Sequence, residues 1–214
     1  MKTLIIDTAL GACTAVAADG ARVVAAETED MARGHQERLG GMVRAAMARA
    51  GWSFEDLDRI AVTTGPGSFT GLRVGLAFAQ GLGLALDRPV TGLSTLAALA
   101  RDAQAAPGDA VWALIDARRG QVYGQRFMDH GPKDGPAALS IEDAATRIAG
   151  ETGGVTLVGS GAALVTADGA SVIDRAAPSP DALARLAADQ PEGEARPLYL
   201  RAPDAKLPGG RDPS

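Results

Sequence analysis

The residues best placed to do chemistry lie in a glycine-rich segment at 65–75, which reads GPGSFTGLRVG. The segment follows an apolar strand pattern and opens a helical one, so Ser68 or Thr70 would cap the helix. Backbone N–H groups left uncovered by glycines at a helix N-terminus attract anions, which predicts a phosphate-binding loop. The competing interpretation is a tight turn that lets the helix pack closely on a sheet. The motif alone favours the turn, because no Lys-Ser or Lys-Thr pair follows the glycines as in a Walker A loop.

Two aspartates, Asp7 and Asp116, each close an apolar strand pattern and form the second candidate. Each pattern opens one half of the chain and is followed by a hairpin pattern, which suggests duplicated lobes; chance similarity is the alternative. Two carboxylates facing each other across a cleft could hold a magnesium-bound nucleotide, or could only cap turns. Arg118 and Arg119 could reach a phosphate or a partner carboxylate, or could be solvated charges at a hairpin tip.

The other residue types used in catalysis are thinly spread. Cys13 is the single cysteine, so no internal disulfide can form, and its pairing with His35 is the one formal nucleophile dyad. A buried cysteine is usually inert, and the sequence has neither metal-ligand spacing nor a Gly-x-Ser-x-Gly nucleophile elbow. We therefore predict that this chain has no catalytic residue and no metal site.

The order of strand and helix patterns that must position these residues predicts an α/β protein. An Asp19-Gly20 pair between two apolar runs is a strong hairpin signal, and Gly51 ends the first helical pattern. A Pro- and Gly-containing stretch at 104–109 marks a boundary. We divide the chain into three parts: an N-terminal lobe at 1–105, a C-terminal lobe at 106–202, and a flexible tail at 203–214.

Two helical patterns are more apolar than a thin lobe can bury. A helix that is apolar on all sides must be covered all round, so we predict a partner interface, with plain core packing as the alternative. The candidate interface residues are His35, Leu39, Met42, Val43, Ala46, Met47, Leu72, Gly75, Leu76, Phe78, Ala79, Leu82 and Gly83. A row of small residues on the second helix would form the groove, so Gly75→Leu or Ala79→Arg should block pairing.

Composition limits the function classes. The 214 residues include 21 Lys+Arg and 26 Asp+Glu, and the net charge of −5 argues against a protein that grips nucleic acid without help. There are two Trp, two Tyr and four Phe, so the core must be aliphatic. No signal-peptide pattern opens the sequence, and the apolar stretch at 74–86 is too short to cross a bilayer. We expect a cytoplasmic protein that does not contact a membrane.

Five segments resemble, in order, motifs of the TsaB family, formerly called YeaZ: 4–8 (LIIDT), 35–39 (HQERL), 65–75, 115–118 (IDAR) and 197–201 (PLYLR). The 65–75 block is highly specific, and the resemblance covers nearly the whole chain. It implies an actin-like ATPase fold (ASKHA, ribonuclease H-like), with two lobes of mixed sheets flanked by helices.

The resemblance also implies a function. TsaB proteins are non-catalytic dimerisation subunits that pair with the transferase TsaD through a helical bundle of the N-terminal lobes, and the pair recruits TsaE. The complex forms threonylcarbamoyladenosine next to the anticodon of tRNAs that read codons starting with A. The family further implies a homodimer when the chain is isolated, and contact with tRNA only through the complex.

The resemblance implies little for cofactors. Where TsaD has histidine ligands, this chain reads GLSTLAA at 92–98, and its strand-end loops lack the usual phosphate-loop glycines. No cofactor is therefore expected on this chain alone, although ATP or ADP and magnesium could act in the complex. The candidate nucleotide contacts are Asp7, Thr8, Gly65, Gly67, Ser68, Thr70, Asp116 and Arg118.

The residues alone leave three other functions open. An autonomous actin-like kinase or ATPase would need Asp7 and Asp116 to hold magnesium and ATP. A glycoprotease-like peptidase would need a nucleophile or a metal. A homodimeric binding module would need neither TsaD nor a nucleotide.

Overall fold

The first β-sheet is built around the strand that ends in Asp7. The computed structural model describes residues 1–31, 33–190 and 193–201. The sheet has the order β3-β2-β1-β4-β5, and β1 lies antiparallel to β2 and parallel to β4. The strands are β1 (Lys2–Asp7), β2 (Ala12–Asp19), β3 (Arg22–Asp30), β4 (Arg59–Gly65) and β5 (Val90–Ser94). The predicted Asp19-Gly20 hairpin joins β2 to β3.

The second sheet repeats this arrangement around the strand that contains Asp116. Its order is β11-β10-β6-β7-β8, with β9 also on β7; β6 is antiparallel to β7 and parallel to β10. The strands are β6 (Ala110–Arg118), β7 (Gln121–Met128), β8 (Gly131–Pro132), β9 (Ala137–Ser140), β10 (Val155–Val158) and β11 (Ser171–Ile173). The sequence echo between the two aspartates is therefore a repeat of topology, and the predicted two-lobed α/β fold is confirmed.

Serine residues are the N-caps of four of the five helices in the described part of the chain. Ser68, Ser94, Ser140 and Ser179 each accept a hydrogen bond from a backbone N–H three residues on, which satisfies a donor that the helix leaves free. The helices are α1 (His35–Ala50), α2 (Phe69–Leu86), α3 (Thr95–Ala100), α4 (Ile141–Ala149) and α5 (Pro180–Asp189).

Strand alternation sorts the side chains of β1 into two cores. Leu4 and Ile6 face α1 and α2, whereas Ile5 faces α5. Helix α3 lies between the two sheets, because its Ala98 packs in the core of the first sheet and its Leu96 and Leu99 pack against the second. Helix α4 covers the far side of the second sheet.

The C-terminal part of the chain returns to the first lobe, unlike the predicted division at 105. Leu183, Ala184 and Leu186 of α5 are buried against the first sheet. After α5, Glu194 pairs with Thr91 at the edge of β5. The division at 105 separates the two sheets, but both of these later segments pack with the N-terminal lobe. The expected flexible tail at 203–214 lies outside the described residues.

The small-residue row of α2 faces its own sheet. A Cβ on Gly75 would lie 2.4 Å from Thr8 Oγ1, and one on Gly83 would lie 2.4 Å from Val90 Cγ2. These residues therefore allow close packing of α2 on β1, β4 and β5, and they do not form a groove for another chain. This corrects our expectation for Gly75 and Gly83.

Helix α2 is longer than the apolar stretch that we took as too short for a bilayer. Its 18 residues have a mean hydropathy of 1.3 and are 33% buried, so by length and composition alone it could span a membrane. Core helices have the same properties, and the contacts of its glycines with the first sheet make α2 a layer of this fold.

Candidate functional site

A cleft of about 510 Å³ lies between the lobes, where β1 and β6 end. The first lobe lines it with the turn after β1 and with the loop before α2, and the second lobe lines it with the β6–β7 hairpin. The wall also includes residues 198–201, the last residues that the structure describes. The two loops that sequence analysis selected as phosphate contacts thus meet at one site.

The cleft gathers only half of the eight predicted nucleotide contacts. Gly67, Ser68, Asp116 and Arg118 line it. Thr70 lies instead in an apolar groove beside α2, and Gly65 is buried under the carbonyl oxygen of Leu198. The Thr8 hydroxyl is buried and donates to the carbonyl oxygen of Gly71 at 2.7 Å, so it does not face the cleft.

Asp7 is fully buried and is not among the lining residues. Its Oδ1 accepts from the Thr63 hydroxyl at 2.6 Å and from the Ala9 N–H at 3.0 Å, whereas Oδ2 has no partner among the described residues. Burial raises the pKa of the Asp7 carboxyl above its ordinary value, although both hydrogen bonds and the nearby His35 lower it. A carboxylate in this position is poorly suited to a hydrated magnesium ion.

The glycine-rich loop uses its polar backbone within the protein. The Ser68 N–H donates to the carbonyl oxygen of Ala9 at 2.7 Å, and a Cβ on Gly67 would lie 2.3 Å from that oxygen. The Ser68 N–H is therefore engaged within the protein and is not free to bind a phosphate. Together with buried Asp7, this arrangement does not fit a metal-bound nucleoside triphosphate.

The β6–β7 hairpin carries two arginines to the mouth of the cleft. Arg118, Arg119 and Gly120 are consecutive left-handed residues, with φ of 62°, 56° and 72°. The Arg118 guanidinium lies 3.1 Å from Asp116 Oδ2, and Asp116 Oδ1 accepts from the Arg118 N–H at 2.7 Å. The hairpin was predicted, and both arginines line the cleft, although the Arg118 side chain is 85% exposed.

The segment at 193–201 ties the lobes together across the cleft. The Leu198 N–H donates to the carbonyl oxygen of Thr64 at 2.7 Å on the first lobe. Arg201 donates from Nη1 to the carbonyl oxygen of Ala117 at 3.2 Å on the second lobe. Sequence reasoning assigned Arg201 no role at the cleft; the only signal was its place in the family-like segment at 197–201.

Aromatic rings complete the wall of the cleft, and sequence reasoning missed all three. Tyr123 comes from β7, and Tyr199 packs against Phe69 with ring centroids 5.1 Å apart and ring planes tilted by 42°. The Arg73 guanidinium lies 3.7 Å from the Phe69 centroid, and its Nε donates to the Tyr199 hydroxyl at 3.4 Å. Phe69 thus lies between the Tyr199 ring, which faces the cleft, and the Arg73 guanidinium, which lines the groove beside α2.

The outward face of α2 carries exposed apolar residues, alongside the polar Arg73 and Gln80, that lack cover within the described residues. Leu84 is 87% exposed, and Ala77, Gly81 and Ala85 are exposed on the same face. Beside them, an apolar groove of about 490 Å³ separates α1 from α2; it is lined by Gln36, Leu39, Phe69, Thr70, Arg73, Val74, Ala77 and Phe78.

Most of the predicted interface residues are buried inside the chain. His35, Leu39, Met42, Val43, Ala46, Met47, Leu72, Gly75, Leu76, Ala79 and Gly83 are all in the interior. Phe78 and Leu82 are half-buried at the edge of the exposed face. Helical periodicity selected the faces of α1 and α2 that pack inside the chain.

Cys13 does not have the environment of a nucleophile. The side chain is fully buried, and burial, followed by the charges of Asp7 and Glu29, raises the pKa of its thiol to about 11. A reactive cysteine needs an exposed, stabilised thiolate. Across the described part of the chain, no three His, Cys, Asp or Glu side chains are grouped as metal ligands.

Comparisons with known proteins agree on one family. Residues 23–155 match the family model described as TsaD, tRNA N6-adenosine threonylcarbamoyltransferase. The tRNA threonylcarbamoyladenosine biosynthesis protein TsaB of Escherichia coli is 42% identical over 130 residues, which cover 60% of this chain and 55% of that protein. The match thus spans about half of that relative.

Two solved structures extend the comparison to the fold. A Pseudomonas aeruginosa protein, described as similar to the peptidase YeaZ, has a TM-score of 0.82 and 30% identity, covering 94% of this chain and 99% of its own. The ROK hexokinase of Thermus thermophilus has a TM-score of 0.52 and 15% identity over 88% of this chain and 98% of its own. The second likeness shows an actin-like ATPase fold and nothing about chemistry.

Proposed function

The chain belongs to the TsaB (YeaZ) family, and from that premise we propose that it acts in tRNA threonylcarbamoyladenosine biosynthesis as a non-catalytic scaffold. It pairs with a TsaD transferase, and the pair recruits TsaE. The name of the E. coli relative supports the pathway, and the match to the TsaD family model supports pairing between chains of like fold. We place the protein in the cytoplasm, where bacterial tRNAs are modified.

The exposed face of α2 is the observation that carries this proposal. A leucine that is 87% exposed, with small residues one and two turns away, forms an apolar surface on which a second helix can approach closely. The groove between α1 and α2 continues this surface. A TsaD lobe with matching helices would cover both, and a second copy of this chain would cover them when TsaD is absent.

The residues support a scaffold better than an autonomous enzyme. Asp7 is buried away from the cleft, and Cys13 holds a thiol with a pKa of about 11, so neither suits the kinase or the peptidase alternative. In this proposal the chain supplies a rigid surface. ATP, magnesium and the transfer chemistry enter with the other subunits.

The test is pairing with the TsaD protein of the same organism, measured as molar mass by light scattering during gel filtration. We expect a one-to-one complex that forms at the expense of any homodimer. Leu84→Arg should weaken pairing at least tenfold, because it places a charge at the centre of the contact, and should leave the thermal midpoint unchanged because the side chain is exposed.

Leu164→Arg is the matched control, since Leu164 is also exposed, at 43%, but belongs to the second lobe. It should pair like the unmodified chain. Two separate peaks with the unmodified protein would contradict the scaffold role. Equal pairing by Leu84→Arg would move the contact away from α2.

A further inference from the structure

The aromatic residues of this chain are concentrated in the interlobe cleft. The sequence has only eight aromatic residues, yet both tyrosines and one phenylalanine line this single site. Tyr199 lines the cleft and is 38% exposed, even though its ring packs against Phe69. Exposed aromatic rings in a cleft serve as stacking surfaces for planar ligands, whereas core rings are buried like Trp112.

Arginines dominate the charge of the same cleft. Arg118, Arg119 and Arg201 line it, with Asp116 as the one lining carboxylate among the described residues. Both hydrogen-bond acceptors of Arg201 are neutral groups, the carbonyl oxygen of Ala117 and the side-chain oxygen of Gln121. A chain with a net charge of −5 therefore has a cationic cleft, which attracts an anionic ligand.

The backbone conformation of the β6–β7 hairpin indicates that its arginines are there to contact a ligand. Arg118 and Arg119 adopt left-handed φ values that favour Gly, Asn or Asp. The corresponding β1–β2 turn of the first lobe, at residues 8–11, takes no positive φ. Turn formation alone does not call for arginine, so a ligand contact explains the residue type better than folding does.

The cleft is suited to a ligand that combines a nucleobase with phosphates that each carry a single charge. A nucleoside triphosphate needs open phosphate loops and a metal ligand, and here the loops contact each other while Asp7 is buried. A phosphodiester carries one charge per nucleotide and is bound well by guanidinium groups without a metal. A base can stack on an aromatic side chain only where it is unpaired, as in an RNA loop.

We propose that the interlobe cleft binds an unpaired stretch of RNA, with a base stacked at Tyr199 and Tyr123 and the adjacent phosphates at Arg118 and Arg201. The identity of the RNA, a tRNA anticodon loop, rests on the proposed function. The cleft would then give this subunit a direct contact with the substrate of the complex. It differs from the α2 face, which binds protein.

The experiment measures fluorescence anisotropy of a labelled anticodon stem-loop RNA at low salt. It is performed with the TsaD complex and with this chain alone, so that RNA binding is measured even if TsaD does not pair with this chain. Arg118→Ala should weaken binding about fivefold and reduce the slope of log affinity against log salt by about 1. Tyr199→Leu should weaken binding about tenfold, whereas Tyr199→Phe should retain it.

Arg22→Ala is the matched control, because it removes an exposed arginine from the hairpin at the far end of the first lobe. It should bind RNA like the unmodified protein. Equal affinity of Arg118→Ala, Tyr199→Leu and Arg22→Ala would overturn the cleft assignment. Equal affinity for a fully paired RNA duplex would overturn base stacking, and full displacement by adenosine monophosphate at micromolar concentration would assign the site to a free nucleotide.

The same variants separate this inference from the scaffold proposal. Arg118→Ala and Tyr199→Leu should still form the one-to-one complex by light scattering, with circular dichroism confirming that each variant folds. Failure of the unmodified chain to pair with TsaD, while it binds RNA and these variants bind it weakly, would contradict only the scaffold role. Normal pairing of the unmodified chain and of both variants, with unchanged RNA affinity, would contradict only the RNA site.

Discussion

Thr8 and Gly71 hold β1 and α2 together from both sides. The Thr8 hydroxyl donates to the carbonyl oxygen of Gly71 at 2.7 Å, and a Cβ on Gly71 would lie only 2.0 Å from the carbonyl oxygen of Thr8. The glycine thus permits an approach that any other residue would prevent. This contact explains why a segment that resembles a phosphate loop serves here as a packing joint.

The same joint predicts the effect of enlarging Gly75. Its missing Cβ would lie 2.4 Å from Thr8 Oγ1, so Gly75→Leu must push α2 off the sheet. We expect a loss of about 1–3 kcal/mol or more in the free energy of unfolding. Urea unfolding followed by circular dichroism measures it. Gly81→Ala is the control, since nothing lies within 4 Å of a Cβ there, and it should not be destabilising.

Asp7→Asn should change how stability depends on pH. Burial raises the folded-state pKa of Asp7, so the folded chain holds this proton more tightly than the unfolded chain does. Its favourable contribution is complete below the unfolded value near 3.8 and is lost as pH rises through the folded pKa. Asparagine does not titrate, so the variant should gain stability relative to the parent with rising pH.

Urea unfolding of both proteins between about pH 4 and pH 8 tests this prediction. The difference in unfolding free energy should grow and then level off above the folded pKa. A variant that loses stability relative to the parent as the pH rises would show that the ionised carboxylate has a favourable partner.

Glu151 supplies a charged contact within the second lobe. It accepts two hydrogen bonds from Arg126, at 2.5 and 2.6 Å, and one from Trp112 at 2.9 Å. Burial alone would raise the pKa of Glu151, but these hydrogen bonds lower it below its ordinary value. Its stabilisation is present above about pH 4.5 and is lost as pH falls through the folded pKa.

Glu151→Gln should therefore cost about 1–3 kcal/mol at neutral pH and less in acid. Thermal unfolding of the variant and the parent, at neutral and at acidic pH, measures this loss of stability. Glu142→Gln provides the comparison, because its exposed side chain lies on α4 of the same lobe. An equal effect of both substitutions would show that the Arg126 contact adds no stability.

The Cys13 thiol should not react in the native protein. It is fully buried, and its pKa of about 11 leaves little thiolate at neutral pH. Labelling with a thiol reagent should follow global unfolding and should be completed only in denaturant. Rapid native labelling, together with proteolysis that Cys13→Ala abolishes, would restore the peptidase alternative.

The sequence by itself determined the lobes, most of the elements and the family. Apolar runs ending in Asp7 and Asp116 predicted the central strand of each sheet, because apolar runs and hairpin signals are local. The Ser68 helix cap could be predicted for the same reason, because it also depends on residues close in the sequence. The two-residue β8 was missed, since a strand that short has no pattern of its own.

Only the tertiary structure decided which surfaces are available. Periodicity shows that α2 is apolar all round, but the Thr8 contact decides that Gly75 faces inward and Leu84 faces outward. The cleft depends on the same kind of long-range contact, because Tyr123 and Tyr199 are 76 positions apart in the sequence and meet only when the C-terminal segment crosses between the lobes. Local patterns specify elements, whereas packing over long sequence separations specifies which of their faces remain free.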